Sequence, residues 1–362
     1  MNQKARRSPK FVAGRTLCRR FYDEVVGPLL NRGYPSLPYS AALIGPGSEV
    51  MGFDTPMSRD HNWGPRLQLF LPEDDYASLA PQISATLSEE LPPKFLGYPT
   101  AYVTTLESHM PSRHRVEIVT SRKFFSDVLG IDVNEPMLPA DWLSVPQQEL
   151  RSIADGTLFR DDLKLAMVQR RLNYYPNDVW RYLLASGWER IGQEEHLVGR
   201  AGFVGDELGA SVIAARLTRD LMRLCFLMER VYEPYAKWFG TAFQQLACAE
   251  SLSPIFHDVL RARGWRKRDS ALAQGYEAIA AKQNDMDLMP PRPARVQPFH
   301  DRPFSTIALP SGFAAALRKG IEDPQVKALA ERRNIGNIDQ FSDSTDLLSC
   351  RHSRAVIRDL YC

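Results

Sequence analysis

The chain has 362 residues, 44% of them hydrophobic and 24% charged, with a formal net charge of +2. That length suits about two packed units, and the composition is that of a globular chain rather than a disordered or fibrous one. A charge so near zero gives no argument for a nucleic-acid partner, and five scattered cysteines without a Cys-x-x-Cys pair argue against a disulfide framework or a zinc ribbon.

Residues 1–10 are polar and basic, with no signal-type apolar run behind them. No stretch reaches about 18 consecutive apolar residues, so the expectation is a cytoplasmic protein without a membrane span. Apolar residues at helical spacing from Val12 to Leu30 predict a helix over 11–33, ending near Gly33. Ala41–Ile44 reads as a strand closed by Gly45-Pro46-Gly47-Ser48, and Leu67–Leu71 as a second strand ended by Pro72. A helix follows over 76–91, stopped by Pro92-Pro93. Tyr102–Leu106 and Arg115–Val119 suggest a hairpin around His109–Ser112, and Lys123–Leu129 a short helix. From about residue 146 the periodicity is helical: 163–186 divided by Pro176, 206–232 as the longest run, and two more helices over 254–283. Pro290, Pro291, Pro293, Pro298, Pro303 and Pro310 predict an extended arm over 289–310, followed by a last helix over 311–333 and a polar tail. The expected fold class is α+β. A mixed sheet with helices occupies 1–145, a helical domain 146–288, and a Pro-rich arm, helix and tail 289–362.

The stretch 43–71 carries the chemistry. It reads strand, Gly-Ser turn, linker, acidic segment, strand. Glycine permits close backbone approach, and the backbone N–H groups with the Ser48 hydroxyl suit phosphate oxygens. Downstream, alternation puts Asp60 and Asn62 on one face, directed at whatever the Gly47-Ser48 turn holds. In the later strand, Val116 and Ile118 face the core, so Glu117 faces the other side.

Gly47-Ser48, then Gly52, then Ser58-x-Asp60-x-Asn62 resembles the signature of the nucleotidyltransferase superfamily. Further segments resemble an uncharacterised bacterial family of that superfamily, near the kanamycin and lincosamide nucleotidyltransferases. They are Phe159-Arg160-Asp161-Asp162, Tyr174-Tyr175-Pro176 with Trp180, Trp188–Gln193, Gly205–Gly209 and Tyr232–Trp238, within a resemblance that spans roughly residues 15–290. The resemblance implies a nucleotidyltransferase-like mixed sheet followed by a helical domain. It implies transfer of a nucleoside monophosphate from a nucleoside triphosphate, with ATP expected, to a hydroxyl or amine of a small molecule or RNA. Mg²⁺ or Mn²⁺ would sit on Asp60, Asn62 and Glu117, and Gly47 and Ser48 would hold the β- and γ-phosphates. Asp206 or Glu207 would serve as the base on the acceptor, with Lys237 on a phosphate. Arg216, Arg219 and Arg223 fall along one helix face and are further phosphate candidates. The basic segment Arg261–Arg268 motivates an RNA acceptor. A homodimer is left open.

One position departs from the signature. Asn62 stands where the second carboxylate belongs. Its amide oxygen can ligate a hard cation but brings no charge, and a unit charge pair at 4 Å is worth roughly 4 kcal/mol at an effective dielectric of 20. The alternative reading is therefore a catalytically weakened nucleotide-binding or protein-interaction module. Glu49, Asp54 and His61 lie close in sequence as substitutes for the missing charge.

Overall fold

A computed structural model describes residues 9–60, 63–102 and 113–362, without the side chains of Arg59 and Asp60. The chain forms two compact units, one of Met1–Pro136 with Glu149–Asn173 and the other of Met137–Gln148 with Tyr174–Cys362.

The first unit is built on a mixed sheet. In chain order its strands are β1 (Ser40–Leu43), β2 (Leu67–Leu71), the short pair β3 (Lys94–Phe95) and β4 (Tyr98–Pro99), β5 (Val116–Thr120) and β6 (Thr157–Asp161). The four-stranded sheet runs β5-β2-β1-β6. β1 is antiparallel to both β2 and β6, whereas β2 is parallel to β5. β3 and β4 pair separately as an antiparallel hairpin. β2 is buried along its whole length, as a central strand of apolar residues should be. Leu67, Leu69 and Leu71 pack with Phe21, Val26 and Leu30 of the first helical segment and with Ile83 and Leu87 of the helix Glu73–Glu90. Each such leucine contributes roughly 1.5–3 kcal/mol of apolar burial. On the opposite face Phe70 meets the edge of Phe124, with ring centroids 5.2 Å apart.

The first helical segment runs from Gly14 to Gly33 with a π-helical turn at Tyr22–Val26, just ahead of Pro28, whose ring removes a ladder donor. The helix expected over 76–91 begins earlier, at Glu73, with Glu73, Asp74 and Asp75 in the first turn where acids suit the helix dipole. The hairpin expected around His109–Ser112 falls mostly outside the described residues. Its described ends carry an antiparallel bridge between Ala101 and His114.

β6 corrects the expectation of helix throughout the region after 146. Thr157–Asp161 is a strand of five half-buried residues, so it shows neither the apolar run of a central strand nor a clear alternation. It completes the sheet by pairing with the edge of β1 that β2 leaves open. The cut expected at 145 therefore does not match the compact units, because the chain returns to the first unit over Glu149–Asn173.

In the second unit the helices Asn177–Glu194, Glu207–Met228, Ala249–Arg261 and Trp265–Asn284 form the body. Pro176 caps the first of these, as its break in the periodicity predicts, and Glu207–Met228 is the longest of the set. Trp188 stacks on Phe313 with centroids 4.4 Å apart and donates its indole N–H to Gln283 at 2.9 Å. The stretch expected as an extended arm is instead an antiparallel hairpin, β7 (Gln297–Phe299) with β8 (Arg302–Thr306), closed onto its own unit. Ser305 Oγ donates to Asp269 at 2.7 Å. The wholly buried Glu195 then accepts the N–H groups of Ile307, Ala308 and Leu309 at 2.7, 2.9 and 3.0 Å. That cap allows the short helix Ala308–Ser311 despite Pro310, which lies in a first turn where no intrahelical acceptor is lost.

Beyond it, 311–333 holds two helices, Phe313–Lys319 and Pro324–Arg332, the second capped by Asp323. The expected polar tail is structured. Helices at Ile338–Phe341, Thr345–Ser349 and Arg354–Asp359 bury Ile338, Ile357 and Tyr361. These helices are too short to print a period on the sequence. The fold class is α+β, a mixed sheet with a helical C-terminal region, and among the described residues no helix is long and apolar enough to cross a membrane.

Candidate functional site

The strand directions bring three distant segments to one end of the sheet. β1 leaves the sheet where the antiparallel β2 and the parallel-to-β2 β5 enter it. The Gly45–Ser48 turn follows β1 there, the 3₁₀ segment Pro56–Asp60 precedes β2, and Glu117 is the second residue of β5. Gln68 and Glu117 are register partners, and Gln68 Nε2 donates to Glu117 Oε2 at 3.2 Å. The same amide accepts the Ile44 N–H through Oε1 at 3.1 Å. Gln68 thus fixes Glu117 to the exit of β1, and Glu117 is exposed with Oε1 accepting no hydrogen bond among the described residues.

Beneath the turn lies a buried ion pair. Arg66 Nε donates to Glu49 Oε1 at 2.7 Å, with side-chain exposures of 10% and 3% respectively. Arg66 Nη2 also donates to the Pro46 carbonyl at 2.8 Å. A Cβ on residue 47 would fall 2.5 Å from Arg66 Nη2 and 2.8 Å from Glu49 Oε2, so any side chain there must displace the ion pair. The Ser48 carbonyl accepts the Phe53 N–H at 2.8 Å, and Arg15 holds the Val50 carbonyl, which shapes the chain after the turn. Two acids near the signature are already engaged. Glu49 belongs to Arg66, and Asp54 accepts the Gly14 N–H at 2.7 Å and the Trp63 indole N–H at 2.9 Å. Asp60 is described only as backbone, and His61 and Asn62 lie outside the described residues.

A cleft of about 200 Å³ opens beside Glu117, lined also by Arg66, Gln68, Tyr102, Arg113 and Arg115. That is smaller than pockets that enclose a whole drug-sized ligand, and suits the charged end of one. The Arg115 guanidinium lies 4.5 Å from the centre of the Tyr102 ring and donates to the Trp63 carbonyl at 3.2 Å. His114 accepts the Val116 N–H on Nδ1 at 3.3 Å, which leaves its Nε2–H to Ser84 Oγ at 2.9 Å. Burial, with Arg113 adjacent, lowers its pKa, so it is a neutral structural imidazole. The cleft therefore combines arginines, which suit phosphate oxygens, with one open carboxylate oxygen, which suits a hard cation. Among the described residues no three His, Cys, Asp or Glu side chains cluster as a metal site. Glu117 supplies one oxygen ligand of the kind Mg²⁺ takes, and the other expected ligands fall at Asp60 and Asn62.

The second unit holds the remaining candidates, and most carry structural contacts. Asp206 is the N-cap of Glu207–Met228, its Oδ1 accepting the Gly209 N–H at 2.7 Å. Glu207 accepts the Trp265 N–H at 3.1 Å and pairs with Arg268 at 3.5 Å, tying two helices together. The arginine row is ion-paired: Arg216 to Glu194 at 2.6 Å, Arg219 to Asp343 at 2.7 Å, and Arg223 to Glu233 at 3.1 Å. Lys237 is exposed, its ammonium 4.5 Å from the centre of the Trp238 ring.

Three features of the candidate sites escaped the sequence reading. Gln68 had a visible signal, as the one polar residue inside Leu-Gln-Leu-Phe-Leu. Arg66 and Arg113 had none, because a lone arginine beside a strand is ordinary. The third feature is a cavity of about 230 Å³ in the second unit walled by Arg219, Arg223, Glu233, Tyr235, Asp339 and Asp343. Burial beside Glu233 pushes the Asp339 carboxyl up to about 8, while its Oδ2 accepts the Gln147 N–H at 2.9 Å.

Residues 142–239 match a family described as a domain of unknown function (DUF4037). The matched span includes Asp206, Glu207 and Lys237, but not the Gly-Ser turn, Asp60 or Glu117. No curated protein and no solved structure matches the chain.

Proposed function

We propose that the chain is a nucleotidyltransferase-like protein that binds a nucleoside triphosphate, with ATP the expected one, at the end of its mixed sheet. The observation that carries this reading is the convergence of the Gly47-Ser48 turn, the Pro56–Asp60 segment and Glu117 at that end. Backbone N–H groups of the turn and the Ser48 hydroxyl would take the β- and γ-phosphate oxygens. Arg113 and Arg115 would offset the remaining phosphate charge. Gln68 holds Glu117 in one orientation, and Glu117 with Asp60 and Asn62 would hold Mg²⁺ or Mn²⁺. When bound, that ion neutralises charge on the triphosphate and aligns it for in-line displacement. The residues contribute mainly positioning, which alone is worth several kcal/mol of barrier, roughly 7–11 in well-oriented systems. The acceptor would be a hydroxyl or amine on a small molecule or RNA. The five cysteines form no disulfide, which supports a cytoplasmic setting.

Photolabelling tests the location. An azido-ATP label should cross-link to peptides carrying residues 44–60 or 113–120. Labelling confined to peptides of the second unit would contradict the reading.

One observation favours a weakened site instead. Glu49 and Asp54 are spent on Arg66, Gly14 and Trp63, so neither replaces the charge that Asn62 lacks. On that reading Asn62→Asp creates or raises pyrophosphate release from a nucleoside triphosphate. If Asn62→Asp abolished an existing release, the weakened-site reading would fail.

A further inference from the structure

A cleft of about 990 Å³ in the second unit lies among the helices Asn177–Glu194, Phe313–Lys319 and Pro324–Arg332 and the segment after them. Five cations line it: Arg318, Lys319, Lys327, Arg332 and Arg333. The lining acids are Glu189 and Glu331, so the cleft has a surplus of three positive charges, where the whole chain has a surplus of two. This local surplus exceeds the net charge of the whole chain, which conceals it.

Four of the five cations meet no carboxylate among the described residues. Glu189 is already taken by Arg318 at 3.1 Å and by the Asn334 amide at 3.3 Å. Arg332 donates to the Tyr361 carbonyl at 3.0 Å, a neutral partner that leaves its charge uncompensated. Lys319, Lys327 and Arg333 are exposed and make no ion pair among the described residues. The other arginine row of this unit differs in this respect, since Arg216, Arg219 and Arg223 each meet a carboxylate.

The shape and lining select the kind of anion. The volume stands at the upper end for a small-ligand pocket. No cation in the lining is buried, so there is no closed cage for a single phosphate group. Among the described residues no aromatic ring lines the cleft, so it offers no platform on which unstacked bases could lie. Exposed lysines and arginines spread along an open groove match a row of phosphates on an extended strand, where contacts position the chain without reading its bases.

We propose that this cleft docks the phosphate backbone of a double-stranded nucleic acid, held chiefly by Lys319, Lys327 and Arg333. This does not rest on the nucleotide site of the first unit, and its test contains no nucleoside triphosphate.

The test is fluorescence anisotropy of the full chain with labelled RNA and DNA duplexes of about 20 base pairs, titrated from about 50 to about 200 mM salt. Three phosphate contacts predict a slope of log K against log salt of about −2.7, hence a loss of about 40-fold in affinity over that range. Binding of either duplex with that slope supports the proposal, and the two arms identify which nucleic acid is preferred. The variant Lys319→Glu/Lys327→Glu/Arg333→Glu changes exposed positions and should weaken binding by about tenfold or more while flattening the slope by about one per cation removed. Arg170→Glu/Arg171→Glu, at exposed positions of the first unit, should bind within twofold of the wild type. The proposal is overturned by no duplex binding at the lowest salt, by a slope near zero, or by equal losses in the two variants. Saturable tripolyphosphate binding that the triple variant abolishes and a duplex fails to displace would also overturn it.

Discussion

The ion pair beneath the Gly-Ser turn gives the sharpest prediction about the first unit. Replacing Glu49 with Gln leaves the Arg66 guanidinium 10% exposed and without its charge partner. The remaining hydrogen bond to the Pro46 carbonyl at 2.8 Å does not supply the lost charge. Breaking a buried pair from one side costs about 3–5 kcal/mol, and the glutamine oxygen can still accept one hydrogen bond, so about 3 kcal/mol is expected. The assay is native-state hydrogen exchange at the amides of β1 and β2, which reports opening of this unit apart from the other. Exchange there should quicken on the order of 100-fold, since about 1.4 kcal/mol is a factor of ten. The double variant Glu49→Leu/Arg66→Met removes both charges and should recover most of the loss. Gly47→Ala reaches the same pair from above, through a Cβ 2.5 Å from Arg66 Nη2, so its effect should not add fully to that of Glu49→Gln. Exchange in Glu49→Gln within threefold of the wild type would refute the reasoning. So would a double variant no more stable than the single one.

Two further outcomes concern the second unit. Asp206→Ala should cost about 1 kcal/mol of stability through the lost cap and leave nucleotide binding unchanged. A large loss of binding without a loss of stability would instead give Asp206 a chemical role. Asp339 sets a pH dependence. Its carboxyl is pushed up to about 8 in the folded chain, against about 3.9 in an unfolded one. Between those values the folded chain holds a proton that the unfolded chain has released. Relative to Asp339→Asn, wild-type stability should therefore fall as pH rises from about 4 to about 8, by at most about 1.4 kcal/mol per pH unit. Glu233, also raised by burial, acts with the same sign, while Asp343, lowered beside Arg219 and Arg223 despite some burial, acts below that window. Urea denaturation of both forms across this range checks the sign, and a relative stability that rose with pH would contradict it.

The fold was legible where one strong local pattern decided it. Leu67–Leu71 is apolar but for Gln68 and is a buried central strand. Pro176 and the long run after Asp206 marked helix boundaries that the structure keeps. β6 was not legible because an edge strand of half-buried residues is chosen by its partner, β1, and not by its own composition. The hairpin β7–β8 was hidden for a related reason. Its prolines argued against helix, but the contacts that fold it come from Asp269 and Glu195, far away in sequence. For the site, the sequence could nominate Gly47, Ser48 and Glu117, yet not what lies under them. Glycine at 47 has a second cause in the Glu49–Arg66 pair, and Glu117 depends on Gln68 for its orientation. Acidic residues read as catalytic at 206 and 207 carry a cap and an inter-helix tie, a use that no spacing rule distinguishes from catalysis.

The most direct test of the central claim is calorimetric titration of the full chain with a non-hydrolysable ATP analogue, with and without Mg²⁺, in the wild type, Asp60→Ala and Glu117→Ala. The account predicts binding that strengthens with Mg²⁺ in the wild type and loses that dependence in both variants. Binding indifferent to Mg²⁺ and unchanged by both substitutions, or no binding of the nucleotide at all, would contradict it.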